Sequence, residues 1–221
     1  MTRLFIAILI SVCCFSAAHA QIVDVEQSEK FNTDSVLRDF DNRPFFGIYK
    51  DNYFVGGTSI GTKPTSHNSD VKFQVSISQR LTKSVLPFNT YAFLFYSQKC
   101  MWNVFEKSLP MRDFNFNPGL GFTKLLISKN RLVGKLTLMI EHESNGRDKM
   151  YDRSWNKLSF AGNIYLTPNL MIHGKYWLTY IDSKQNKDIL RYNGIYQTGI
   201  QVLSPNQRWV FSATFVKRKG W

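Results

Sequence analysis

Segment after segment of this chain alternates apolar and polar side chains at a period of two. Phe73, Val75 and Ile77 alternate with Lys72, Gln74, Ser76 and Ser78, and Leu132, Leu136, Leu138 and Ile140 with Arg131, Lys135, Thr137, Glu141 and Glu143. The period returns in Leu158, Phe160, Ile164 and Leu166, then in Leu170, Ile172, Tyr176, Leu178 and Tyr180. It continues through Tyr192, Tyr196, Ile200 and Val202 and through Trp209, Phe211, Ala213 and Phe215. Successive side chains of a strand point to opposite faces, so each run describes a strand with one apolar face. Turn residues at Ser128-Lys129-Asn130, Thr167-Pro168-Asn169 and Ser204-Pro205-Asn206 separate several runs. About nine strands result, some near the ~9–11 residues of a tilted membrane-crossing strand.

The ends and the composition narrow this further. Residues 1–20, MTRLFIAILISVCCFSAAHA, combine Arg3, an apolar run from Leu4 to Phe15, and Ala18 and Ala20 before Gln21. They read as a cleaved secretory signal peptide. Val12 before Cys13 argues against a lipidated cysteine. Beyond residue 20 no apolar stretch approaches the ~20 residues of a membrane helix. Removing the signal leaves Cys100 alone, which excludes an intrachain disulfide framework. The net charge of +12 is carried by scattered residues in an exported chain, which suits an anionic membrane surface and not nucleic acid. The expected fold is all-β, a transmembrane antiparallel β-barrel in the outer membrane of a Gram-negative cell. Residues 21–43 form a periplasmic extension and 44–221 the barrel, with a first strand over 44–57. Tyr91, Tyr96, Tyr165, Tyr176, Trp177, Tyr180, Tyr192 and Tyr196 are expected to form an interfacial girdle. A soluble secreted β-sandwich is the rival with the same alternation.

One stretch carries chemistry. In IEHESNGRDKMYDRSWNKL, residues 140–158, His142 and Ser144 continue the apolar side that holds Leu138 and Ile140. Asn156 precedes Leu158 and Phe160 on the same parity of the next strand. A hairpin with its loop over about residues 145–154 brings all three onto one membrane-facing surface at the rim. Serine, histidine and asparagine supply a nucleophile, a base and an orienter. An asparagine avoids desolvating an ionised carboxylate beside lipid. Backbone N–H groups at Ser144 and Gly146 are candidates for the oxyanion.

The sequence His142-Glu143-Ser144-Asn145-Gly146-Arg147 followed by Arg153-Ser154-Trp155-Asn156 resembles the signature of the outer-membrane phospholipase A family. Asp70 to Gln74, Tyr96 to Lys99 and Tyr192 to Gln197 are similar to its other strands, so the likeness covers roughly residues 44–217. It implies a calcium-dependent hydrolase of phospholipid and lysophospholipid acyl esters, active as a homodimer, with Ser144, His142 and Asn156 as the catalytic residues. It also implies Ca2+ ligands at Arg147, at Asp152 and, from a second subunit, at Ser108. Gln98 would bridge the two subunits within the membrane. Asp152 stands where a member of that family has a serine, and a carboxylate is the stronger calcium ligand. The family barrel has twelve strands, so about nine strands here imply a C-terminally truncated barrel. Two alternatives stay open: a catalytically silent barrel with a structural or pore role, and a deacylase of outer-leaflet glycolipid.

Overall fold

The computed structural model describes residues 33–148, 151–180 and 186–218. The expected signal peptide and the extension up to residue 32 lie outside the described residues. A helix α1 (Thr33–Asn42) precedes ten strands, β1 (Phe46–Gly47), β2 (Tyr53–Thr58), β3 (Ser69–Arg80), β4 (Thr90–Trp102), β5 (Met111–Ser128), β6 (Arg131–Ser144), β7 (Ser154–Thr167), β8 (Leu170–Tyr180), β9 (Tyr196–Leu203) and β10 (Val210–Lys217). A short helix α2 (Ile189–Asn193) precedes β9. All strands join one antiparallel sheet, and from β3 onward each strand neighbours the next in chain order. β1 and β2 both pair with β3, through Phe46 to Gln79 and Tyr53 to Gln74, so they occupy one edge and the sheet is nine strands wide. No helix among the described residues is long and apolar enough to cross a membrane.

The sheet is curled with its polarity reversed. Ser76, Ser97, Asn117, Thr123, Thr137, Glu141, Lys157 and Ser159 are buried, whereas Leu94, Leu120, Leu138, Ile140, Leu158, Phe160, Leu178 and Ile200 are exposed. An apolar outer surface of this extent marks a face that meets lipid or a partner. The curl is visible inside. Tyr49, on the first edge, donates through its hydroxyl to Met139 Sδ of β6 at 3.3 Å and accepts from Lys175 Nζ of β8 at 3.4 Å.

The first strand expected over 44–57 is broken at residues 48–52, because that segment turns inward and takes its hydrogen bonds from side chains. Lys50 N donates to Ser76 Oγ at 3.1 Å, Ser76 N to Asn52 Oδ1 at 2.5 Å, and Gln74 Nε2 to the Asp51 carbonyl at 2.7 Å. Three of the expected girdle residues point inward instead, Tyr165 on the face of β7 that holds Lys157 and Ser159. Tyr91 is buried with Leu37 and Leu125 beneath α1, and Trp177 is buried with Trp155 and Ile189. Leu132 also leaves the outer face. Leu126 pairs with Gly134 but Ile127 with Leu132, leaving Val133 as a β-bulge, which turns Leu132 toward the α1 cluster. Tyr192, expected in a strand, belongs to α2.

The two ends of the sheet differ. At one, two-residue turns join β5 to β6 and β7 to β8, the former at Lys129 and Asn130 with φ of 50° and 60°, the geometry of a type I′ hairpin. Helix α1 caps this end. Buried Arg80 donates to the carbonyls of Asp41 at 2.9 Å and Arg43 at 2.8 Å and to that of Phe40, satisfying acceptors a helix C-terminus leaves unpaired. The loops over residues 59–68, 103–110 and 145–153 lie at the other end.

Candidate functional site

His142 and Asn156 face each other across the β6/β7 ladder. A Cβ at Gly121 would meet the Leu138 carbonyl oxygen at 2.5 Å, and one at Gly119 the Ile140 oxygen at 3.2 Å, so even-numbered residues of β6 turn their backbone groups to β5. His142 and Asn156 are therefore a non-hydrogen-bonded pair on the β7 side, the type in which side chains approach most closely. The imidazole Nδ1 lies 2.9 Å from Asn156 Oδ1. An amide oxygen only accepts, so Nδ1 carries the proton and Nε2 is left with its lone pair. Ser144 follows two residues on, with its side chain on the same face. His142 and Ser144 are half-buried and Asn156 is exposed, at the edge of the apolar band that includes Ile140 and Leu158.

The loop after Ser144 is shaped by Asn145, a buried residue with no catalytic side-chain chemistry to mark it in the sequence. Its Oδ1 accepts from Arg153 N at 3.0 Å and Arg147 N at 3.3 Å, and its Nδ2 donates to the Tyr151 carbonyl at 2.8 Å. One amide thus ties the two ends of the loop together. The signal for it was the Asn-Gly pair, which marks a turn. Gly146 has φ of +67°, open to glycine and strained for other residues. Asp152 lines a cavity of about 370 Å³ together with Asp113, Glu143 and Asp188. Asp113 is matched by Arg153, and Glu143 by Lys157. The Asp152 carboxylate meets no cation or donor among the described residues. An unmatched carboxylate and the carbonyl of Arg147 in one clamped loop are hard oxygen donors of the type calcium takes. Ser108 occupies a separate loop, with φ of 70°. Its neighbour Glu106 is held by His67 at 3.0 Å and Arg112 at 2.5 Å, and Arg147 donates to the Arg112 carbonyl at 2.5 Å.

Behind the site the inner face carries charge. Glu141 pairs with Lys175 at 2.6 Å and accepts from Ser159, while Glu143 pairs with Lys157 at 2.5 Å and accepts from Asn115 at 2.8 Å. Every carboxylate in this group has a cation and a neutral donor, as burial demands. The alternation placed these residues inside, but which partners meet depends on strand register. Gln98 lies on the outer face of β4, opposite Val75 and Phe116. Its Oε1 accepts from the Tyr96 hydroxyl at 3.0 Å, and its NH2 group makes no hydrogen bond among the described residues.

Residues 35–217 match the family model described as phospholipase A1. The chain is 26% identical over 213 residues to a phospholipase A1 of Klebsiella pneumoniae, spanning 88% of this chain and 74% of that protein. It is 30% identical over 139 residues to the phospholipase A1 of Escherichia coli K12, spanning 61% of this chain and 48% of the relative. Among solved structures, the Salmonella typhi outer membrane phospholipase dimer with bound calcium superposes with a TM-score of 0.67 at 24% identity, over 81% of this chain and 76% of that one. An active-site asparagine-to-alanine mutant of the Escherichia coli outer membrane phospholipase A superposes with a TM-score of 0.66 at 25% identity, over 81% and 76%.

Proposed function

The chain belongs to the phospholipase A1 family, a family of enzymes, and we propose that it is a calcium-dependent phospholipase of a Gram-negative outer membrane, exported by its signal peptide. It hydrolyses acyl esters of phospholipids and lysophospholipids at the membrane-facing rim of its sheet. The 2.9 Å contact between His142 Nδ1 and Asn156 Oδ1, on the face that carries Ser144, is the observation that supports this reading. With Nδ1 protonated and engaged, Nε2 takes the Ser144 hydroxyl proton as the oxygen attacks the ester carbonyl. The resulting oxyanion is assigned to the N–H group of Gly146, because that of Ser144 faces Phe116 across the ladder, and His142 then returns the proton to the departing alcohol. Water hydrolyses the acyl-serine by the same steps in reverse order. The neutral Asn156 orients the imidazole without placing a second ionised group against hydrocarbon.

Calcium, held by Asp152 and the Arg147 carbonyl with the Ser108 carbonyl of a second copy, would supply positive charge near the developing oxyanion. A homodimer fits the outer face. The unpaired NH2 of Gln98 sits among Val75 and Phe116 in the apolar band, and in a two-fold pair each glutamine offers the other a donor and an acceptor. The test is product analysis with defined phospholipids in detergent micelles, with calcium and with chelator. Free fatty acid formed only with calcium is the expected result. Calcium-independent release, or cleavage of glycolipid in place of phospholipid, would overturn the reading.

A further inference from the structure

A proline is out of place in a central strand, because it cannot donate to the ladder. Pro118 lies in the middle of β5, between Tyr96 of β4 and the position opposite His142 of β6. The β5/β6 register runs from Phe116 with Ser144 to Gly119 with Glu141, and the rungs at 117 and 118 are missing. The carbonyls of Leu138 and Ile140 face β5, so by the same alternation does that of His142, and its ordinary donor would be the N–H of residue 118. Proline has none. Asn117 takes over, its buried side chain donating from Nδ2 to the His142 carbonyl at 2.9 Å. The other end of that amide accepts from Lys50 Nζ at 3.2 Å. The Lys50 amino group presents N–H donors to that oxygen, which favours this orientation of the amide. Lys50 reaches this point because the segment between β1 and β2 turns inward and is tied to Ser76.

We propose that Asn117 is a positioning residue for His142, replacing with a side chain the main-chain hydrogen bond that Pro118 removes. This rests on the reading of His142 as the general base. The backbone that carries the imidazole on the outer face is then held from the inner face, by Lys50 through Asn117. A shift of about 1 Å at a base can cost about 100-fold in rate, so the bond affects turnover more than substrate binding.

The test exploits the proline. Asn117→Asp keeps an acceptor for Lys50 but offers no donor to His142. With micellar phospholipid, kcat is expected to fall by about tenfold to about 100-fold at unchanged KM and unchanged heat-modifiable migration. Adding Pro118→Ala restores a main-chain N–H at the vacant rung, and the double variant is expected to return within about threefold of wild type. Lys50→Met, which frees the amide to turn, is expected to show the same loss and the same rescue, and it carries the test if Asn117→Asp does not refold. An Asn117→Asp kcat within about threefold of wild type, or a loss that Pro118→Ala leaves unrepaired in a folded protein, overturns the proposal. Wild-type release that fails to depend on Ser144, checked with Ser144→Ala in the same assay, overturns the underlying reading of His142.

Discussion

Replacing Asn156 with alanine gives a quantitative check on how the hairpin assembles its site. The substitution removes the acceptor 2.9 Å from His142 Nδ1 and little else, because Asn156 is exposed and its backbone groups do not bond to His142. In the resting enzyme the lost bond is neutral, worth about 0.5–1.5 kcal/mol. In the transition state the imidazole is positively charged, and a bond to a charged group is worth about 1.5–3 kcal/mol. Only the difference between the two, about 1–1.5 kcal/mol, acts on the chemical step, and at about 1.4 kcal/mol per tenfold it amounts to a fall in kcat of about fivefold to about tenfold. KM should stay unchanged, since the asparagine contacts the base and not the lipid. Initial rates of fatty-acid release at several surface concentrations of phospholipid separate the two parameters. A kcat within about twofold of wild type would show that the contact does not act in the transition state. A loss as complete as that of Ser144→Ala, about 10⁶-fold in serine hydrolases, would show that it does more than orient a ring.

Further expectations concern the surroundings of the site. Gly146→Ala must hold a φ of +67° and bring its Cβ to 3.0 Å from the Phe116 ring, so a destabilisation of about 1–2 kcal/mol together with reduced turnover is expected, read by urea unfolding in micelles and by activity. Lys157→Met leaves the half-buried Glu143 carboxylate without its cation and should cost about 3 kcal/mol in the same unfolding assay. Asp152→Asn removes the unmatched carboxylate, and the calcium concentration for half-maximal activity should rise at least about tenfold with maximal kcat retained. The hydrogen bond from His67, assisted by Arg112, holds the Glu106 carboxyl below its usual range. A depressed carboxyl contributes stability above its unfolded pKa of about 4.3 that is lost as pH falls through the lower folded value. Protease sensitivity of the 103–110 loop should therefore rise as pH falls below about 4.

The alternation carried most of the architecture because outward and inward residues differ in kind from β6 to β8. Leu138, Ile140, Leu158, Phe160 and Leu178 lie outside, and that parity was enough to put His142, Ser144 and Asn156 on one surface. It failed where the ladder is irregular. β5 contains Pro118 and two nearby glycines, residues that break the strand period, and the Asn117 side chain supplies the donor to His142 that Pro118 lacks. The inward segment between β1 and β2 depends on Ser76 and Gln74, some 25 residues away in sequence. Tyr91 and Trp177 were read as interfacial by residue type, but their burial is decided by α1 and α2 packing over them. Leu132 moved because one bulged residue reverses parity. The pairings of Glu141 with Lys175 and Glu143 with Lys157 depend on register across three strands, which composition does not encode.

The central claim is that Ser144 is a nucleophile activated by His142 on the membrane-facing side. It is tested most directly by covalent labelling of the refolded, calcium-loaded protein with a lipophilic fluorophosphonate, followed by peptide mass spectrometry. One adduct, on the peptide carrying Ser144 and lost in His142→Ala, is the expected result. An adduct on another serine, or none in a preparation that releases fatty acid, would contradict the account.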